Sequence, residues 1–294
     1  MITVFGSANM DLVAYVSKAP QRGETVTGRE FRTIPGGKGA NQAIAAARAG
    51  AKVTFLGAVG EDAFGAEMRD ALAAAGVDVS LLRQVPGVSG IAHIVVDDAG
   101  GNSIIVVPGA NGTISAPTSD ERAVIAASQA LLLQLELPME AVIAAARAAR
   151  EAGVPVILTP APAQPLPNGL LDAVTLLIPN EHEAAGITGT ATPEAAMDAL
   201  LRRVDEAVIT LGSEGALYGA STGERIWVPA VKVQAVDTTA AGDTFAGAFA
   251  VARAEGRDAE QALRFASTAA ALSVQRPGAS TSMPARAEID AAHA

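Results

Sequence analysis

Short apolar runs alternate along the chain with stretches in which apolar residues recur every three to four positions. The runs at 1–5, 52–60, 131–135, 154–158, 174–178 and 207–211 are rich in Val, Ile and Leu and lead into glycine, proline or polar residues, which predicts buried strands. Between them, 43–49, 63–75, 120–127, 138–152 and 193–204 carry helical spacing, and glycines at 50, 76 and 153 close three of these segments. Strands of this kind alternating with helices define an α/β fold: a mainly parallel central sheet with helices on both faces, a three-layer α/β/α sandwich. A hairpin is expected at 216–220 and 225–228 around Ser221-Thr222-Gly223-Glu224. Further on, 231–236 reads as extended and 245–253 as helical.

Two regions break the alternation. In 12–34, β-favouring residues such as Val13, Tyr15, Val26 and Phe31 are interrupted by Pro20 and Gly23. In 90–108, the strand-like pieces 91–96 and 104–107 flank the turn-forming string Asp97-Asp98-Ala99-Gly100-Gly101-Asn102. Together they predict a small β-lid inserted in the N-terminal half of one domain spanning 1–294. A lone β-layer exposes an apolar face, and a second copy of the chain is the natural way to bury it, so a homodimer through the lid is expected.

Composition narrows the function. The net charge is −10 and only Lys18, Lys38, Lys52 and Lys232 are lysines, which argues against a nucleic-acid surface. Without cysteine the chain has no disulfide, thiolate metal site or cysteine nucleophile. The N-terminus reads Met-Ile-Thr-Val-Phe-Gly, with no leader pattern, and no segment approaches the ~20 consecutive apolar residues of a membrane span. A cytoplasmic protein with no membrane partner is expected.

Polar residues cluster where the predicted parallel strands end. Asn9, Asp11, Glu136, Asn180, Glu183 and the Thr210–Gly215 turn all fall at or just past C-terminal strand ends, which share one edge of such a sheet. Pro35-Gly36-Gly37-Lys38-Gly39-Ala40-Asn41-Gln42 adds a glycine-rich loop with donors at Lys38 and Asn41, but without Walker A spacing. In Asp237-Thr238-Thr239-Ala240-Ala241-Gly242-Asp243-Thr244-Phe245 a small-residue turn feeds a helix N-terminus, suited to a phosphate or a developing oxyanion. Asp243 is then either a helix cap or a base that takes a proton from an attacking hydroxyl. His93, His182 and His293 are scattered, His182 reads as an exposed helix-start residue before a metal ligand, and no G-x-S-x-G elbow is present.

These strings, with Gly6-Ser7-Ala8-Asn9-Met10-Asp11, Gly23-Glu24-Thr25-Val26, Leu133-Gln134-Leu135-Glu136 and Pro179-Asn180-Glu181-His182-Glu183, resemble the ribokinase branch of the ribokinase-like (PfkB) sugar kinase superfamily, over about residues 2–290. The resemblance implies ATP-dependent phosphorylation of the D-ribose 5-hydroxyl, with a small-molecule sugar and ATP as partners and Mg²⁺ and an activating K⁺ as cofactors. It implies Asn9, Asp11, Gly37, Lys38, Asn41 and Glu136 as sugar-binding, Asp243 as base against the sugar, and Ala240, Ala241 and Gly242 as the anion hole. Asn180, Thr210, Gly212, Ser213, Gly215, Gly242 and Ser267 would meet the nucleotide. Glu183 would order Mg²⁺ through water, and Asp237, Thr239, Ser273, Arg276, Gly278 and Ser282 would form the K⁺ site. Ser267 stands where some members carry histidine, and Thr159 where many carry asparagine. Rival readings are a kinase of the same fold acting on deoxyribose, a ketohexose or a nucleoside, and a non-catalytic sugar-binding regulator.

Overall fold

The computed structural model describes residues 1–293. From the N-terminus, β1 (Ile2–Phe5), β2 (Asn9–Tyr15) and β3 (Glu30–Gly36) precede α1 (Lys38–Arg48), β4 (Val53–Leu56), β5 (Ala58–Gly60) and α2 (Ala63–Ala74). Next come β6 (Val77–Asp78), β7 (Arg83–Val85), β8 (Gly90–Val96), β9 (Asn102–Val107), α3 (Ser119–Ala126), β10 (Ala130–Leu133), α4 (Met139–Glu151), β11 (Val156–Leu158) and α5 (Asn168–Leu171). The chain continues through β12 (Leu176–Leu177), α6 (Glu181–Thr188), α7 (Pro193–Leu200), β13 (Glu206–Thr210), β14 (Ala216–Ala220) and β15 (Arg225–Val228), and closes with α8 (Ala241–Ala254), α9 (Ala259–Ser273) and α10 (Arg286–His293).

Nine strands form the central sheet in the order β15-β14-β13-β12-β11-β10-β1-β4-β6. From β13 to β6 every pairing is parallel, and β14 and β15 add an antiparallel edge. Because successive side chains of a strand point to opposite faces, β1 and β10 each feed two cores. Ile2, Val4, Ala130 and Leu132 pack with α1, α8 and α9, whereas Phe5, Leu131 and Leu133 pack with α4 and α7. The three expected layers follow from this alternation.

The lid is a separate four-stranded sheet in the order β3-β2-β8-β9. It begins earlier than expected. Asn9 and Asp11, which follow the end of β1, belong to β2, paired with β3 and β8; the sequence does not reveal these strand partners. The run 52–60 is two strands, β4 in the central sheet and β5 in a small pair with β7, because the chain bends at Gly57, where a Cβ would stand 2.6 Å from Gly6 O. No strand forms at 231–236, whose alternating valines are partly exposed and border a cleft instead of a neighbouring strand. α9 and α10 lie where no element was expected; α9 is Ala-rich and mostly buried.

Among the described residues, no helix is long and apolar enough to cross a membrane.

Candidate active site

Three glycines bring the first part of the site together. Gly37 caps α1 with φ 92°, a conformation that favours glycine, and a Cβ there would lie 2.7 Å from Asn9 N. Gly39, in the first turn of α1, crosses the β1–β2 junction so closely that a Cβ would meet Ser7 N at 2.5 Å. Gly247, one turn beyond Asp243 in α8, lets that helix approach α1, with its notional Cβ 2.7 Å from Ala45 Cβ. The start of α1 is thereby pressed between β2 and the N-terminus of α8.

Glu136, three residues past the end of β10, ties these pieces. Its Oε2 accepts from Ser7 Oγ (2.5 Å), the Lys38 backbone N–H (3.0 Å) and Asn9 Nδ2 (3.4 Å). Its Oε1 makes no hydrogen bond and remains available to a ligand. Asn9 is held from its other side by Asn111, which donates to Asn9 Oδ1 at 2.8 Å and closes a reciprocal pair with the Ala8 backbone. Ser7 and Asn111 are fully buried supporting residues that the sequence reading missed. Asn111 sits in Pro108-Gly109-Ala110-Asn111-Gly112, which reads as ordinary turn chemistry and gives no signal of burial.

Asp11, Lys38, Glu136 and Asp243 share one electrostatic field. Burial, then Glu136, pushes the Asp11 carboxyl up to about 7, against the pull of Lys38. For Lys38, burial acts against the ammonium, but Asp243, Glu136, Glu183 and Asp11 together hold it above its ordinary value. Asp11 protonates more readily folded than unfolded, so its burial in ionised form destabilises the fold as pH rises from about 4 through 7. Asp11→Asn is therefore expected to be more stable than the parent at pH 8, and the gap to widen by about 2 kcal/mol between pH 5 and pH 8. Chemical denaturation at the two pH values measures this.

Asp243 lies in the first turn of α8 and is buried. It is not the cap; that position belongs to Ala240, the one non-glycine with positive φ (58°) among the described residues. A left-handed alanine is strained, and here it leads directly into the first turn of α8. The N–H of Ala241 bonds Thr238 O at 3.2 Å, whereas Gly242 and Asp243 have no carbonyl of their own helix ahead of them. The Asp243 carboxylate accepts from Asn41 Nδ2 (3.3 Å) and Gln42 Nε2 (3.1 Å). Burial pushes its carboxyl up to about 6, with Lys38 and the Gln42 hydrogen bond limiting the rise. Asn41 Oδ1 is buried with no hydrogen-bond partner, an acceptor that a ligand hydroxyl would satisfy.

On the other side of this turn opens a cleft of about 540 Å³. Thr210, Gly212, Ser213, Gly215, Gly242 and Ser267 line it, together with Phe245, Val231 and Val233. Six of the seven expected nucleotide residues thus meet in one cavity, and Asn180 pairs with Thr210 through an isolated parallel bridge beside it. Asn180 caps α6 reciprocally with Glu183: its Oδ1 accepts from Glu183 N (2.8 Å) and Glu183 Oε2 accepts from Asn180 N (2.9 Å). Burial holds Glu183 above its ordinary value, against the Asn180 N–H and Lys38. Thr159 faces Gln42, whose Nε2 donates to its hydroxyl at 3.2 Å, and so does not point into the cleft. His182 is exposed, and among the described residues no group of three or more His, Cys, Asp or Glu is placed to hold a metal; the His293 side chain lies outside those described.

Asp237 joins two loops behind the anion turn. Its Oδ1 accepts from Thr239 N (2.9 Å) and its Oδ2 from Gly278 N (2.8 Å). Burial raises its carboxyl, but these bonds outweigh it and leave Asp237 below the ordinary carboxylate range. The hydroxyls of Ser273 and Ser282 turn to the carbonyls of Ala270 and Ala279, and the Arg276 guanidinium pairs with Glu288, so these residues present backbone and not side chain to the loop region.

A parallel α/β body, a β-lid, a carboxylate at a helix N-terminus and a cleft on its far side are the parts of a carbohydrate kinase, and the chain belongs to the pfkB family of carbohydrate kinases, matched over residues 1–286. It is 46% identical over 292 residues to the ribokinase of Bacillus subtilis, covering 98% of each chain. The structure of Arabidopsis thaliana ribokinase complexed with ribose and ATP is similar with a TM-score of 0.94 at 38% identity, covering 99% of this chain and 98% of that one. A deoxyribokinase from Salmonella typhi is 35% identical over 292 residues, covering 96% of this chain and 95% of its own.

Proposed function

We propose that this protein transfers the γ-phosphoryl group of ATP to the 5-hydroxyl of D-ribose. The observation that carries the reading is the turn at 240–243: Ala241 and Gly242 line the large cleft while the next side chain, Asp243, faces the polar pocket of Asn41, Lys38, Glu136 and Asp11. A nucleotide in the cleft and a sugar in the pocket would meet across one helix N-terminus. Asn9, Asp11, Gly37, Lys38, Asn41 and Glu136 then bind the sugar. A sugar hydroxyl is far too weak an acid to be ionised beforehand, but in a loose phosphoryl-transfer transition state its proton leaves late, so a positioned carboxylate suffices. The N–H groups of Gly242 and Asp243 would take the charge that develops on the transferred phosphoryl, usually the larger contribution. The lid over the pocket excludes water and limits hydrolysis of ATP.

Glu183 fits the ordering of Mg²⁺ through water, since one carboxylate oxygen makes no hydrogen bond and such ions are held by one or two carboxylates plus phosphates. Bound there, the ion would neutralise phosphate charge. The Asp237 loops, with Thr239, Ser273, Arg276, Gly278 and Ser282, offer carboxylate and carbonyl oxygens suited to K⁺ directly behind the anion turn. Turnover in NaCl is expected to fall severalfold below that in KCl at equal ionic strength, as an ADP-release assay would read, because the loops order the donors that dominate stabilisation. Equal rates would remove the K⁺ assignment.

The lid leaves Phe31 at 61% and Ile105 at 67% exposure, on the same face of the sheet as Val107. A homodimer through this face covers them, and Ile105→Asp is expected to sediment as a monomer. The setting is cytoplasmic. A panel of ribose, 2-deoxyribose, a ketohexose and a nucleoside tests the substrate. The highest kcat/KM is expected for ribose; a higher value for another member reassigns the acceptor, and no ADP release with any of them leaves a sugar-binding regulator.

A further inference from the structure

Gln42 and Gln134 are both buried, and their amides form a short chain that ends on Asp243. Gln42 Nε2 directs one hydrogen to Asp243 Oδ1 (3.1 Å) and the other to Thr159 Oγ1 (3.2 Å). Gln134 Nε2 donates to Gln42 Oε1 at 2.6 Å. The direction of the chain is dictated from one end. An ionised carboxylate only accepts, so Gln42 must present its NH₂, which leaves its carbonyl facing Gln134, which must present its NH₂ in turn. Gln134 Oε1, at the far end, is buried with no partner. An unsatisfied buried carbonyl is destabilising, a cost that leucine or methionine in the same space would not carry. Gly6 makes room for that oxygen, since a Cβ at position 6 would stand 2.1 Å from it. The arrangement is thus poor as core packing and good as a polarity lock.

We propose that Gln42 is a positioning residue for phosphoryl transfer, fixing the plane of the Asp243 carboxylate toward the acceptor hydroxyl, and that Gln134 keeps the Gln42 amide turned the right way. The proposal rests on the reading of Asp243 as base. Lys38, Glu136 and Asp11 act on Asp243 through space, whereas among the described residues only Asn41 and Gln42 hydrogen-bond its side chain. Asn41 faces the sugar pocket and has its own unpartnered oxygen, so orientation of the carboxylate falls mainly to Gln42. Were that amide to turn over, its carbonyl would oppose the carboxylate and push it off line.

The test compares Gln42→Met, Gln134→Met, the double variant and Asp243→Asn, all full-length, with ribose and ATP. Gln42→Met is expected to lower kcat about 10- to 100-fold, because small misplacement of a reacting group costs that much, with KM for both substrates within about twofold. Gln134→Met is expected to lose about tenfold, and the double variant to be no worse than Gln42→Met, since Gln134 acts only through Gln42. The acid limb of the kcat profile should move to higher pH in Gln42→Met, because a donor to the ionised carboxylate is lost. If Gln42→Met does not fold, Gln42→Glu reads the same contact: its activity relative to the parent should rise as pH falls, as only the protonated acid can donate. Parental kcat in Gln42→Met, losses confined to KM, or losses that multiply in the double variant would overturn the proposal. If Asp243→Asn keeps full turnover, the base assignment itself fails; if it is inactive while Gln42→Met turns over normally, the positioning role alone is lost.

Discussion

Asp243→Asn is expected to reduce kcat by about a hundredfold to ten-thousandfold while sugar binding, read by calorimetry, changes little, because proton acceptance operates in the transition state and asparagine keeps the size and much of the hydrogen bonding. The new amide would still accept from Asn41 or Gln42 through its one carbonyl oxygen, so the pocket persists. The parent enzyme supplies a second signature. On the proposed reading the active form carries Asp243 ionised, and burial pushes that carboxyl up to about 6. As pH falls through 6 kcat/KM is therefore expected to drop, and an acid limb centred near pH 4 would contradict the burial of this carboxylate.

Glu136→Ala is expected to act on the other kinetic constant. Its Oε2 gathers Ser7, Asn9 and the Lys38 backbone, and on the proposed reading its Oε1 meets the sugar. Hydrogen bonds to a charged group contribute about 1.5–3 kcal/mol each, so loss of the sugar contact alone should raise KM for ribose about 10- to 100-fold. KM for ATP should stay close to the parent value, since Glu136 is outside the cleft. An unchanged ribose KM, or a loss confined to kcat, would mean that Glu136 organises the loops without touching substrate.

The parallel body was legible because strands buried on both faces read as apolar runs, and those of β1, β10 and β13 survive almost unchanged in the structure. The strand-end residues were legible for the same reason: parallel strands place their C-terminal ends on one edge whatever their order in sequence. Legibility failed where a residue's meaning depends on a partner far along the chain. Gln42 stands in the glycine-rich string, but its contact with Asp243 crosses 201 positions, and nothing local distinguishes it from a surface glutamine. Asn111 looked like punctuation and is a buried brace; the valines of 231–236 looked like a strand and have no strand to pair with. At Asp243, local sequence left cap and base equally open, and the left-handed Ala240, by occupying the cap itself, removes the cap reading.

The division of the site along the chain has a consequence for how such proteins diversify. The residues that line the large cleft come from Thr210 onward, whereas the pocket beneath the lid, apart from Asp243, is assembled from the first 136 positions. On the proposed reading, changes in the N-terminal half would remodel what is phosphorylated while leaving the cleft intact, and recombination between relatives near the middle of the chain would exchange acceptor preference as a unit. The contact of Asn41 and Gln42 with Asp243 is the joint that any such exchange has to preserve.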